Sequence, residues 1–354
     1  MIQIFDSMTE LLESVPKENM TFEMCNAFVK AWGKIHGYGG GKSEVHPFTM
    51  YPKIMVSVSG GADSDIVLDL VERIGYPLSE VHYAFFDTGL EFAATKRHLE
   101  YLEQKYGITI ERYRAKIPVP LGVKKYGVPF LSKKISNNIQ RLQKHGFKWE
   151  DKPFEELYAE YPRCKSALRW WCNQWGEKSK LNISNRKWLK EFMIANPPDF
   201  PISSGCCDGA KKGTAKMVEK IINPDLSIQG VRKAEGGIRS TAYKSCFDEI
   251  CGEADQFRPI FWFKKDDKKA YEEAFGIVHS DCYCKYGLDR TGCACCPFGK
   301  FFERERAFLC ENHLCSLAFS FALASGDSSF PAARTGRLGS RKNCLRTSSK
   351  GSTA

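Results

Sequence analysis

The run Ser59-Gly60-Gly61-Ala62-Asp63-Ser64 stands between a short apolar stretch at 53–58 and a helical period that continues to about residue 74. A strand that meets a helix through two glycines leaves few alternatives for the local fold. The first backbone N–H groups of a helix have no intrahelical partner, and the macrodipole adds about half a positive charge there. Gly60 and Gly61 let the main chain turn tightly and approach an anion with no Cβ in the way. Ser59 and Ser64 add hydroxyl donors, and Asp63 is placed to hold a Mg²⁺ that shields phosphates. The run therefore predicts a phosphate cradle. The competing reading is a plain Ser/Gly turn without a ligand, but the flanking strand and helix are the context a phosphate loop needs. A second glycine cluster at 37–43 imitates a Walker A loop. It has His36 where that motif needs glycine, and no apolar strand precedes it, so it reads as a linker.

The pattern around the loop is that of an α/β sheet. Ile66, Val67, Leu70, Val71 and Ile74 share one helix face. A second strand at 81–86 ends in Asp87-Thr88-Gly89, a helix follows at 91–106, and a third strand is expected at 108–113. Strands alternating with helices imply a parallel sheet with helices on both faces, with ligands at the carboxyl ends of the strands. From about 118 to 201 the chain turns helical, basic and aromatic, with Arg169-Trp170-Trp171 and Trp175, and reads as an insertion. Its tryptophans read as core rather than as a base-stacking platform. The α/β pattern resumes with a helix at 213–222, strands at 226–231 and 258–263, and a helix at 266–275. The expected domains are a helical N-terminal extension (1–50), the α/β domain with its insertion (51–306) and a tail (307–354). That tail lacks Ile, Val, Tyr, Trp and Met, and is read as disordered and foreign to the fold.

Composition bounds the rest. The 354 residues are 43% hydrophobic and 27% charged, values of a soluble globular protein. No apolar run approaches the roughly 20 residues of a membrane span, and the first twenty residues carry acids, unlike a signal peptide. A cytoplasmic protein with no membrane partner is expected. The net charge is +10, of which the tail contributes +4, and a basic surface suits anionic nucleotides or nucleic acid.

Fifteen cysteines in such a chain point to metal binding or redox chemistry rather than disulfides. Cys206-Cys207 and the distant Cys293-Ala294-Cys295-Cys296 form a soft thiolate set suited to an iron–sulfur cluster or zinc, and only the fold could bring them together. Cys282 and Cys284 with Cys293 and Cys296 are an alternative, local zinc set, and buried unligated thiols are a third reading.

On these residues the chain resembles the phosphoadenosine-phosphosulfate-reductase-like family, whose fold is that of the PP-loop ATP pyrophosphatases and adenine nucleotide alpha-hydrolases. SGGADS is similar to the SGGxDS loop of the ATP pyrophosphatases. The Cys-Cys pair followed far downstream by Cys-x-x-Cys resembles the four-iron four-sulfur pattern of adenylyl-sulfate reductases and of DNA-phosphorothioation sulfur proteins. Asp87-Thr88-Gly89 resembles the family's DTG strand end. Lys211-Lys212 stands where the family has basic residues. Gly230-Val231-Arg232-Lys233-Ala234-Glu235 with Arg239 resembles its G-x-R-x-x-E segment with a following arginine. The resemblance covers about 53–116 and 203–300. It implies nucleotide binding by Ser59, Gly60, Gly61, Asp63, Ser64, Asp87, Thr88, Gly89, Gly230 and Arg232. It also implies catalytic roles for Asp63, Arg232 and Arg239, and a cluster on Cys206, Cys207, Cys293 and Cys296. Arginine binds phosphate or sulfate bidentately where lysine does not, although either arginine could instead pair with Glu235.

Two departures matter. The family's reductases end in a Glu-Cys-Gly-Leu/Ile-His segment whose cysteine attacks the sulfate sulfur, and no such segment occurs here. Asp63 belongs to the ATP-using form of the loop. Both favour ATP over a ready-made adenylyl sulfonucleotide. The expectation is adenylation of an acceptor by ATP, with sulfur delivered from a cysteine or the cluster. A sulfur donor protein and a nucleic acid acceptor are the partners this implies. A sulfite-releasing sulfonucleotide reductase and a non-catalytic binding module with a structural metal are the alternatives.

Overall fold

The computed structural model describes residues 3–36, 51–236, 242–294, 296–299, 302 and 305. The glycine cluster at 37–43, Arg239, Cys295 and the tail from 307 lie outside the described residues, as do the expectations placed on them.

The sheet has six strands in the order β3-β2-β1-β4-β6-β5. They are β1 (Lys53–Val58), β2 (Glu80–Asp87), β3 (Ile110–Arg114), β4 (Leu226–Gln229), β5 (Phe247–Asp248) and β6 (Asp255–Phe257). All neighbours are parallel except the edge strand β5, which is antiparallel to β6. The chain moves from β1 outward to β2 and β3, then returns to the other side of β1 with β4. The strand order therefore reverses between β1 and β4, and an open α/β sheet binds ligands at such a reversal.

Helices cover both faces. In chain order they begin α1 (Met8–Glu13), α2 (Phe22–His36), α3 (Ala62–Ile74) and α4 (Ala93–Tyr106). The insertion carries α5 (Val119–Tyr126), α6 (Lys133–Lys144), α7 (Phe154–Glu160), α8 (Lys165–Trp171) and α9 (Leu189–Ala195). The last are α10 (Gly205–Cys207), α11 (Gly213–Ile222), α12 (Lys265–Phe275) and α13 (Asp281–Cys284). Ile66, Val67, Leu70, Val71 and Ile74 of α3 join Ile54, Val56 and Val58 of β1 in the main core. Burial of each such side chain is worth about 1.5–3 kcal/mol. Met55 and Ala84 point to the opposite face, where Val218 and Ile222 of α11 cover them.

Residues 3–36 are built into the domain, because Phe5, Leu11, Met24, Phe28 and Ile35 are buried in the main core. The insertion has a separate core around Trp149, Trp170, Trp171, Leu168 and Ile139. Its tryptophans are thus mostly core, as their sequence setting implies, although Trp188 stays 49% exposed.

The strand expected at 258–263 is not formed. Strand β6 ends at Phe257, and the chain then turns through Phe261 N to Arg258 O (3.1 Å) and Phe263 N to Ile260 O (3.1 Å). Pro259 has no N–H to give a ladder, and its fixed φ suits a turn. Among the described residues no helix is long and apolar enough to cross a membrane.

Candidate functional site

The 59–64 loop closes the carboxyl end of β1 and starts α3, with Gly61 as its N-cap residue. Gly60 has φ +63°, in the left-handed region, and a Cβ on it would lie 2.9 Å from Thr95 Cγ2. Ser64 Oγ accepts from Ser59 N (3.2 Å), Ser59 Oγ (3.0 Å) and Gly61 N (3.2 Å), and donates to Gly61 O (2.8 Å). Ala62 N donates to Tyr283 OH at 3.2 Å. The amides at the mouth of the loop are thus held by hydroxyls, which an incoming phosphate can displace without leaving a buried charge.

Gly230, at the end of β4, packs against the loop. A Cβ there would sit 2.8 Å from Asp63 O and 2.9 Å from Ser64 N, so only glycine lets the two strand ends meet. Two residues later Arg232 Nε donates to Asp63 Oδ2 at 2.8 Å. The arginine therefore pairs with the loop's own aspartate. Lys268 of α12 brings its Nζ to 3.1 Å from Asp63 Oδ1 and 3.5 Å from Glu272 Oε1. It lies out of hydrogen-bonding line with Asp63, and Oδ1 is a buried oxygen without a hydrogen bond. Sequence reasoning missed Lys268. Its one local signal was Glu272 four residues on, which reads as an ordinary helix pair.

Helix α3 carries a second buried charge below the loop. Asp65 is 1% exposed and takes His98 Nε2 at 3.0 Å and His279 Nδ1 at 2.8 Å, while His279 Nε2 reaches Glu272 Oε1 at 2.7 Å. Burial alone would lower His279 and raise Asp65. The carboxylates of Asp65 and Glu272 prevail and lift His279 to about 9, and the two imidazoles hold Asp65 below the usual carboxylate range.

Strand β2 ends in the Asp87-Thr88-Gly89 turn. Asp87 Oδ1 accepts from Gly89 N at 2.8 Å, and Lys96 Nζ lies 3.4 Å from Oδ2. Asp87 does not cap α4, whose N-cap is Phe92. Glu91 accepts from Thr88 N (3.0 Å) and Gly89 N (3.1 Å). Burial and the neighbouring Asp87 raise the Glu91 carboxyl. Burial also acts on Asp87, but its contacts with Glu91, Gly89 N and Lys96 bring it below the usual range.

The same turn meets the cysteines. Thr88 Oγ1 lies 3.3 Å from Cys293 Sγ, Glu91 forms an antiparallel bridge with Cys293, and Ala294 N donates to Leu90 O at 2.7 Å. Cys293 shares a buried apolar cluster with Cys206, and Cys296 packs against it. Cys207 contacts Cys206 and is faced by Lys133 and Lys211. The hydrogen bond from Cys206, aided by those two cations, brings the Cys207 thiol down to about 6. Cys206 is pushed up by the same bond and by burial. Gly122 of α5 is pressed onto the pair, with a Cβ there falling 3.0 Å from Cys206 Cα. Arg290 steadies the second segment through Cys296 O at 3.3 Å and Glu305 at 3.0 Å.

The fold thus brings Cys206, Cys293 and Cys296 into one buried cluster from segments distant in sequence, with Cys207 beside Cys206. It does not add Cys282 and Cys284. Cys282 is buried elsewhere beside Phe92 and Leu288, and Cys284 is exposed. Among the described residues no three or more His, Cys, Asp or Glu side chains are grouped around a single metal-ion position.

The phosphoadenosine phosphosulfate reductase domain matches residues 53–298. An uncharacterised protein of Methanocaldococcus jannaschii is 36% identical over 91 residues, 25% of this chain and 18% of that protein, so the chain spans under a fifth of that relative's length. Among solved structures, a phosphoadenylyl-sulfate reductase from Candida auris in complex with phosphate is 14% identical, with a TM-score of 0.36 over 69% of this chain and 82% of that one. The U34-tRNA thiolase NcsA from Methanococcus maripaludis, with its [4Fe-4S] cluster, is 13% identical, with a TM-score of 0.33 over 85% and 78%. With more than half its length matched by the domain, and with the loop, strand order and cysteine segments described above, the chain belongs to the phosphoadenosine phosphosulfate reductase family.

Proposed function

We propose that the protein splits ATP between its α and β phosphates, activates an acceptor as its adenylate, and serves sulfur transfer to that acceptor. The observation that carries this reading is the contact of Thr88 with Cys293, which joins the nucleotide crevice to the cysteine pocket through one strand end. Activation and sulfur chemistry then occur at adjacent positions.

The backbone amides of Gly60, Gly61 and Ala62 at the start of α3 receive the phosphates. Arg232 and Lys268 leave Asp63 for the β and γ phosphates and neutralise the charge that grows on departing pyrophosphate. Asp63 Oδ1, the buried oxygen without a hydrogen bond, is then free for Mg²⁺. Asp87 and the Gly89 turn, at the end of the neighbouring strand β2, are assigned to the nucleoside, and Arg239 to the phosphates, by family resemblance. In the adenylation step an acceptor oxygen forms a bond to the α phosphorus as the bond to the bridging oxygen breaks, and pyrophosphate leaves. Sulfur from a donor then displaces AMP.

Cys206, Cys207, Cys293 and Cys296 would hold a four-iron four-sulfur cluster. Such a cluster takes one thiolate per iron around its edge, which fits thiols spread around a pocket better than a single zinc does. When bound, it supplies iron that can hold sulfide or pass electrons.

ATP is preferred to a sulfonucleotide because the chain lacks the reductase nucleophile segment, and a sulfonyl sulfur needs a thiolate within reach. The test is to purify the protein anaerobically and measure pyrophosphate from ATP and sulfite from adenylyl and phosphoadenylyl sulfate. Pyrophosphate with no sulfite is expected. Sulfite release would replace this reading with that of a reductase.

A further inference from the structure

The positive charge of this protein is segregated. Residues 118–201 hold sixteen Lys and Arg against eight Asp and Glu, a net of +8. The tail from 307 adds +4, and the rest of the chain together nets −2. The sheet that carries the phosphate loop is therefore not the source of the +10. Within the insertion Lys148 pairs with Glu160, Lys152 with Glu150 and Lys190 with Asp151. The remaining thirteen cations form no ion pair with another described residue. Such crowding repels itself and weakens the fold, and it is the electrostatic footprint of a polyanion site.

Aromatic rings stand among these charges. Trp188 and Phe192, one turn apart at α9, are 49% and 47% exposed and meet edge to face at 5.7 Å. Beside them a cleft of about 280 Å³ is lined by Arg186, Lys187 and Lys190 together with Ile183 and Ile194. Its two acids are Asp151, already paired with Lys190, and Glu191. On another part of the insertion Arg169 lies 4.0 Å over the ring of Trp175, whose buried Nε1 has no hydrogen-bond partner. Cations interleaved with exposed ring faces are what unpaired bases on a phosphate backbone require; a duplex hides its base faces.

The insertion is also rooted at the cysteine pocket. Its two ends close through Val128 and Ile202, with Val128 N to Pro201 O at 2.8 Å and Ser203 N to Val128 O at 2.9 Å, immediately before Cys206. Lys133, at the start of α6, faces Cys207. The root of the insertion therefore adjoins the thiols.

We infer that the insertion is the docking surface for a single-stranded nucleic acid, which it presents to the cysteine pocket as the acceptor. The acceptor role rests on the function proposed above; the docking surface does not.

The test is fluorescence anisotropy on the full chain with labelled mixed-sequence 20-mers, as single-stranded RNA, single-stranded DNA and the matching duplex, at 50 and 200 mM salt. Pyrophosphate release from ATP is measured on the same preparations. Single strands are expected to bind at least about tenfold more tightly than duplex, with affinity falling steeply with salt. The double variant Trp188→Ala, Phe192→Ala should weaken single-strand binding by about tenfold. Lys178→Ala, Lys180→Ala, Lys187→Ala should flatten the logarithmic salt dependence by about two. Neither variant touches the loop, so pyrophosphate release with water in place of the acceptor, giving AMP, stays as in the parent. Absent single-strand binding at 50 mM salt, equal binding of duplex, or indifference to both variants overturns the inference, even if pyrophosphate is formed. Oligonucleotide binding with the expected variant behaviour but no pyrophosphate leaves the surface standing and removes the ATP reading.

Discussion

Thr88 Oγ1 lies 3.3 Å from Cys293 Sγ, and this contact joins the carboxyl end of β2, where the nucleotide is proposed to bind, to the cysteine cluster. Burial raises the Cys293 thiol, and Lys211 and the Thr88 hydroxyl act against it. Thr88→Val keeps the shape and removes the hydroxyl. The hydroxyl also donates to Glu91 Oε1, so the contact with Cys293 is one of two hydrogen bonds lost, and its own loss, about 1 kcal/mol, corresponds to roughly fivefold. Sulfur transfer should fall by about that factor while pyrophosphate release from ATP is retained. Equal losses in both assays would show that the contact does not separate the two chemistries.

Lys268 should act on phosphate, not merely on Asp63. Lys268→Ala removes a cation at a desolvated site and should reduce kcat/KM for ATP by at least about tenfold, roughly 1.4 kcal/mol. Lys268→Arg should recover part of it. Unchanged ATP kinetics in Lys268→Ala would leave the lysine as a structural partner of Asp63 and Glu272.

Gly230→Ala tests the junction of β4 with the loop. The new methyl would lie within 2.9 Å of the Asp63 and Ser64 backbone, so the loop must shift. Overpacking of this kind costs about 1–3 kcal/mol. The expected result is a lower melting temperature and a nucleotide affinity weakened further than stability alone explains. Parent-like nucleotide binding in isothermal titration would count against the loop assignment.

The buried His279 makes stability depend on pH. Its folded value, about 9, stands above the unfolded value of 6.5, so its contribution is complete below about pH 6.5 and is lost as pH rises through 9. Asp65, held below its ordinary value, contributes above that value and loses its contribution in acid. Urea midpoints should therefore decline between pH 6.5 and 9.5, by up to about 3 kcal/mol in stability. His279→Gln should be less stable at pH 6 and show a flatter profile across that window. A parent midpoint independent of pH there would contradict the charged His279 network.

Much of this was legible in the sequence because its signals are local. The 59–64 loop needs its strand and helix within a dozen residues, and the Asp87-Thr88-Gly89 turn closes the next strand in the same way. The strand expected at 258–263 failed where Pro259 outweighed an apolar run, and the short edge strand β5 carries too few residues for any period. Lys268, Tyr283 and Lys133 could not be found by pattern. Each reaches the site across more than seventy residues of intervening chain, and each looks locally like a surface or helix-face residue. The cysteine set lies between these cases. Its thiols could be named from the sequence, but their meeting depended on α5 and α10 packing through Gly122, which no spacing encodes.

In the function proposed above, the loop at 59–64 cradles ATP for cleavage between the α and β phosphates. The most direct measurement incubates anaerobically purified protein and acceptor with γ-labelled ATP and separates the labelled products. Labelled pyrophosphate is expected in amounts equal to the sum of adenylated acceptor and AMP, with the yield lost in Asp63→Asn. Labelled orthophosphate with ADP, or no product from ATP alongside sulfite from a sulfonucleotide, would contradict it.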